Sequence, residues 1–225
     1  MTDIQARAPH PTYRLIPSRF PPIGLFDTVA TTADLSAVME LVGWTNDRLV
    51  ASRLARLPRQ EWAYGRPNAS IVMAAFLHGS PTGMRFNGPE LGAWYASREI
   101  ETAAVEVGHH LRREAVARNV PDMTRIYRSY AARLHGLYLD IRGGQGERPG
   151  VYAPDRYDAS QALGESVRAS GGAGILYDSL RRRAGTNVVA YRPSNIREIT
   201  QAAHFEIRAH AIERRLDVRE LENPS

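Results

Sequence analysis

The 225 residues carry a net charge of +5 and 43% hydrophobic content, enough for one sizeable core and too little chain for two generous domains. With no cysteine, disulfides, thiolate nucleophiles and cysteine zinc sites are excluded; with all 29 basic residues arginine, lysine Schiff bases and Walker-type phosphate ligands are excluded too. Any phosphate must be held by arginine, histidine, a hydroxyl or a backbone amide.

Residues 1–11 are polar and proline-broken, and are expected to form a loose lead-in to a single domain spanning 12–225. They lack the apolar core of a secretory signal, and no run reaches the roughly 18 apolar residues of a membrane span, so cytoplasmic residence without a membrane partner is expected. Thr12–Pro17, TYRLIP, alternates as a strand with Tyr13 and Leu15 on one face and Arg14 on the other. The prolines after it predict an irregular loop pinned by Phe20, Leu25 and Phe26. From Thr32 to about Leu57 the pattern is helical. Asp34 is a plausible cap, Leu35, Val38, Met39 and Val42 form a stripe, and Asn46 starts a second short helix bearing Leu49, Val50, Leu54 and Leu57.

Residues 71–77 are apolar without clean periodicity, so strand and helix stay equally open. The turn-rich HGSPTGMRFNGPE then delivers Arg85, Phe86 and Asn87 to a short apolar strand at 92–96. That strand feeds a helix with Ser97 as its cap and a buried stripe of Ile100, Ala103, Ala104, Val107 and Leu111, ending near Asn119 ahead of Pro121. Glu106 lies on the flank of this stripe, and Tyr95 at the strand's end. Residues 123–141 read as two strands broken near 131–136, and 142–154 as a long glycine-rich loop. A helix follows from Asp158 or Ala159 to the Gly171, Gly172 pair. Strands at 175–177 and 188–191 flank the turn DSLRRRAGTN, and the tail has a helix-like start at Ser194 and a strand at 202–209. Strands and helices interleave without a regular βαβ period. The fold class is therefore α+β, with a mostly antiparallel core sheet and flanking helices.

His109 and His110 are adjacent on a helix and point apart, unlike an i, i+4 zinc pair, and no Walker loop or G-x-G-x-x-G follows a strand. Taken singly, other polar residues have plain readings. Glu106 suits a surface pair with His110 or Arg113, Tyr95 suits packing, Ser160 is an early-helix hydroxyl and Ser179 a turn residue. Arg181, Arg182 and Arg183 form either a solvated turn or a contact for an acidic partner or nucleic acid.

Together these residues resemble the RES-domain family, the toxin component of bacterial toxin-antitoxin pairs. The likeness rests on YR at Tyr13 and Arg14, RFN at 85–87, WYAS followed by VEV, and the spacing of 106 − 95 = 11 between Tyr95 and Glu106. YDASQALGE and GILYDSLRRRAGTNVVAYRP extend it to Pro193. Phe86 stands where the family usually has tryptophan, and the segment from Phe20 to Gly83 is longer than in compact members. The resemblance implies an ADP-ribosyltransferase-like fold and an enzyme that consumes NAD+ at the nicotinamide–ribose bond by phosphorolysis or hydrolysis, or transfers ADP-ribose to a protein. NAD+ is then substrate, with no separate cofactor and no metal, inorganic phosphate is a potential co-substrate, and a helix-turn-helix antitoxin is the expected partner. By motif match Glu106 is the family glutamate, Arg14 its arginine, and either Ser179 or Ser160 its serine. Arg14, Arg85, Phe86, Asn87 and Tyr95 are then expected to bind the dinucleotide. The alternative from another class is a basic module binding nucleic acid, with Glu106 structural; on the family reading, direct nucleic-acid binding is not expected.

Overall fold

The computed structural model describes residues 4–20, 26–28, 34 and 48–222. Leu25, expected to pin a loop, Leu35, Val38, Met39 and Val42, expected to form a first helical stripe, and Asn46, expected to start a second short helix, lie outside them. The elements are β1 Gln5–Arg7, β2 Thr12–Pro17, α1 Arg48–Ala55, α2 Ala69–Leu77, β3 Trp94–Ser97, α3 Ile100–Ala117, β4 Asp122–Leu134, β5 Leu137–Asp140, α4 Asp158–Ala169, β6 Gly174–Asp178, β7 Thr186–Ala190, β8 Ile196–His210 and β9 Leu216–Leu221. The nine strands form one sheet in the order β1-β5-β6-β7-β3-β2-β4-β8-β9. Among the described strands only β5 and β6 pair in parallel; the other neighbours are antiparallel, as the α+β reading requires.

Strand alternation sorts side chains onto two faces. On one, Trp94, Ala96, Val188, Ala190 and Leu176 pack with α1 and α2 in the largest core cluster. On the other, α3 lays Ala103, Ala104 and Leu111 on Leu15, Tyr127 and Ile207, while α4 packs Leu163 and Val167 near Phe86, Ile175, Tyr177 and Val189. These two clusters are separate, and the gap between them on a shared face is the feature that matters for function.

Several expectations are refined. Residues 69–77 are a helix, because seven of the nine are buried and so little solvent-facing periodicity exists to read. Asp27 ties that helix's start to the 26–28 segment, its Oδ1 accepting from Ser70 N at 2.7 Å and its Oδ2 from Asn68 N at 3.1 Å. Within the supposed lead-in, Gln5–Arg7 pairs with β5. The strand break after β4 falls at His135 and Gly136, where Gly136 takes φ +103°. The tail begins with a 3-10 turn at Pro193–Asn195, and its strand is far longer than expected, because β8 pairs along most of β4. α3 begins at Ile100 with Glu99 in the cap position, so Ser97 does not cap it.

Candidate active site

β2 and β3 pair at only one position, Tyr13 with Ser97, whereas β3 and β7 pair at four. The sheet therefore opens between β2 and β3. A cleft of about 280 Å³ runs into this opening and along the gap beside α3. Arg14, Arg85, Tyr95, Glu106 and Asn187 line it, as does Arg181.

Glu106 projects from α3 toward the sheet. Its Oε1 accepts two hydrogen bonds, from Ser179 Oγ at 2.7 Å and from Asn187 Nδ2 at 2.7 Å. The Ser179 hydroxyl in turn accepts from the backbone amides of Arg181 and Arg182 at 3.1 and 3.0 Å, which fills its capacity of one donor and two acceptor sites. Oε2 has no hydrogen-bond partner among the described residues. Ser160 lies elsewhere, fully buried at the start of α4 with its hydroxyl donating to Tyr157 O at 3.1 Å. Of the two candidate serines the fold thus brings Ser179 to Glu106.

Arg14 leaves β2 on the face opposite Tyr13 and Leu15, as the alternation predicts. Its guanidinium lies 4.9 Å from the Trp94 ring centroid and donates to Tyr95 O at 3.0 Å, taking the place of a strand partner in the opening. Nε is buried without a partner among the described residues. Burial pushes the Arg14 guanidinium down to about 10, and it stays charged at neutral pH. Few cations are stored this way without an anion nearby.

The remaining candidates hold the cleft's wall. The Tyr95 hydroxyl donates to Asn87 Oδ1 at 2.8 Å and accepts from Phe86 N at 2.9 Å, and burial raises its pKa, so it is a fixed neutral phenol. Asn87 also donates to Gly88 O and Leu91 O. Phe86 is fully buried with its ring centroid 4.6 Å from that of Tyr177, so its side chain belongs to the core rather than to the cleft wall. Arg85 donates to Ala153 O at 2.8 Å and stacks on Tyr157 at 4.7 Å. Glu165 of α4 accepts from Gly88 N at 2.8 Å, and Gln161 donates to Met84 O at 2.9 Å. The 82–88 loop is thereby clamped from both sides.

His109 also lines the cleft, and burial first, then Arg181, lowers its pKa to about 4. Among the described residues no group of three or more His, Asp or Glu side chains is placed to hold a metal ion, and no helix is long and apolar enough to cross a membrane. Asn187 was not anticipated from the sequence. Its signal is a single amide side chain at the head of the apolar run VVA.

A family model described as RES domain matches residues 53–210, which takes in Tyr95, Glu106, Ser179 and Asn187 but leaves Arg14 to its N-terminal side. A chain of a solved structure described as the crystal structure of the M. tuberculosis MbcT-MbcA toxin-antitoxin complex aligns with 88% of this chain and 86% of its own length, at 15% identity and a TM-score of 0.46. No curated protein matches the sequence.

Proposed function

The chain belongs to the RES-domain family, and from that premise we propose that it is a toxin-like enzyme that consumes NAD+ by breaking the bond between nicotinamide and its ribose. The observation that carries this reading is the Glu106 carboxylate, anchored through Oε1 and without a hydrogen-bond partner on Oε2 among the described residues, in a cleft that also holds the Arg14 guanidinium, whose Nε has no partner among those residues.

In the reaction the C1′–N bond breaks with its electron pair leaving on nicotinamide, and positive charge builds on the ribose. A carboxylate fixed beside that ribose stabilises the charged transition state more than the ground state. Arg14 supplies a planar donor suited to a diphosphate oxygen. The oxygen of water, which releases a proton to solvent, or of inorganic phosphate then completes the new bond at C1′, giving ADP-ribose or its 1-phosphate. Tyr95 keeps the 82–88 loop, and with it Arg85, in place at the cleft wall. An antitoxin partner follows from the same family reading, and its acidic or carboxyl-terminal groups would meet the cationic side chains at the cleft.

The test is incubation of purified protein with NAD+ while nicotinamide is quantified, with and without phosphate. Release that is faster with phosphate and yields ADP-ribose 1-phosphate marks phosphorolysis; release indifferent to phosphate marks hydrolysis. No release, with or without phosphate, refutes the proposal.

A further inference from the structure

Ser97 and Asn187 face each other across β3 and β7 in register, and each is only 3% exposed. Buried hydroxyl and amide groups cost free energy unless paired. Here they are paired into a line that ends on the proposed reactive carboxylate. The Ser97 hydroxyl donates to Asn187 Oδ1 at 2.6 Å, and Asn187 Nδ2 donates to Glu106 Oε1 at 2.7 Å.

The direction of this line is dictated by chemistry. An ionised carboxylate only accepts, so the amide nitrogen must face Glu106 and the amide oxygen must face Ser97. Ser97, donating its hydroxyl proton, holds the amide against a flip. The terminal torsion of glutamate is broad and nearly twofold, and a single bond from Ser179 would leave the carboxylate free to turn about that contact. A second donor on the same oxygen removes that freedom and fixes where Oε2 points.

We infer that Asn187 and Ser97 are positioning residues for Glu106, Asn187 directly and Ser97 only through Asn187. The inference rests on the reading of Glu106 as the carboxylate that faces NAD+. It also assigns a use to the Ser97 hydroxyl, whose sequence position suggests a helix cap.

The experiment compares Asn187→Ala, Ser97→Ala, Ser97→Thr and the Asn187→Ala/Ser97→Ala double variant for nicotinamide release across NAD+ concentrations. Losing one hydrogen bond to a charged group should lower kcat by about tenfold to a hundredfold in Asn187→Ala, with KM for NAD+ moved by no more than about twofold. Ser97→Ala should lose less, Ser97→Thr should recover most of that loss, and the double variant should be no worse than Asn187→Ala, because Ser97 has no other route to the carboxylate. Losses that multiply in the double variant, or that fall on KM, overturn the inference. The same pairs, together with Glu106→Ala, are followed by urea unfolding. If wild type releases no nicotinamide, the NAD+ reading fails while unfolding still decides the positioning line: non-additive effects of Asn187→Ala and Glu106→Ala support it, and additive ones overturn it.

Discussion

Replacing Arg14 should separate substrate use from stability in a way that an ordinary core arginine would not. In the free protein burial pushes the guanidinium down to about 10, which corresponds to roughly 3 kcal/mol against its charged form. Opposing this are its bond to Tyr95 O and its place on the Trp94 ring, about 1 kcal/mol or somewhat more each. These nearly cancel, so Arg14→Ala should change unfolding free energy by no more than about 2 kcal/mol, most of it from the cavity and the unpaired carbonyl. Its effect on NAD+ use should be larger. A charge-assisted hydrogen bond to a phosphate oxygen contributes roughly 1.5 to 3 kcal/mol, so kcat/KM should fall by about tenfold to a hundredfold or more. Arg14→Lys keeps the charge but cannot serve both Tyr95 O and an anion from a planar fork, and should fall between. NAD+ should raise the melting temperature of wild type and do so less for either variant. The assays are nicotinamide release across NAD+ concentrations and thermal unfolding with and without NAD+. Wild-type kcat/KM in Arg14→Ala would refute the assignment and leave Arg85 as the better anion ligand.

Glu106→Gln, which removes charge but little volume, should abolish nicotinamide release with the fold intact; full activity with a native melting curve would exclude the carboxylate from the reaction. Tyr95→Phe strands the buried Asn87 Oδ1 and the Phe86 amide, so unfolding free energy should drop by about 1 to 3 kcal/mol and KM for NAD+ should rise as the Arg85 loop loosens. An unchanged melting curve would show that the bridge contributes nothing. His109 is a base whose pKa is lower folded, about 4, than its ordinary value of 6.5. As pH falls from 6.5 toward 4 the unfolded chain takes up a proton that the folded chain does not, so stability should decline through that window, and His109→Gln should flatten the decline. Equal slopes for the two proteins would rule His109 out as the cause. An antitoxin, if bound, should cover the cleft mouth and place acidic groups on Arg14 or Arg85; a complex that leaves both open and still admits NAD+ would contradict the partner reading.

Local pattern was sufficient wherever one face of an element meets the core and the other meets water. The α3 stripe, the alternation that separates Arg14 from Tyr13 and Leu15, and the strands around DSLRRRAGTN could all be read in the sequence, because burial on one side imposes a period of 3.6 or 2 on the residues themselves. The family motifs likewise pointed to Tyr95 and Glu106 without coordinates, and narrowed the serine to Ser179 or Ser160. Where burial is uniform that signal vanishes, and only packing decides: α2 is enclosed on most sides, and β8 owes its length to pairing with β4 across a separation of some 70 residues. The site shows the same division. The sequence supplies a carboxylate, two candidate serines and two candidate arginines, but a hydrogen bond depends on distance and direction that no local period encodes. Ser179 meets Glu106 across 73 residues and Asn187 meets it across 81, so the choice of serine, the part played by Ser97 and Asn187, and the removal of Phe86 into the core are set by how β3, β7 and α3 come together in three dimensions.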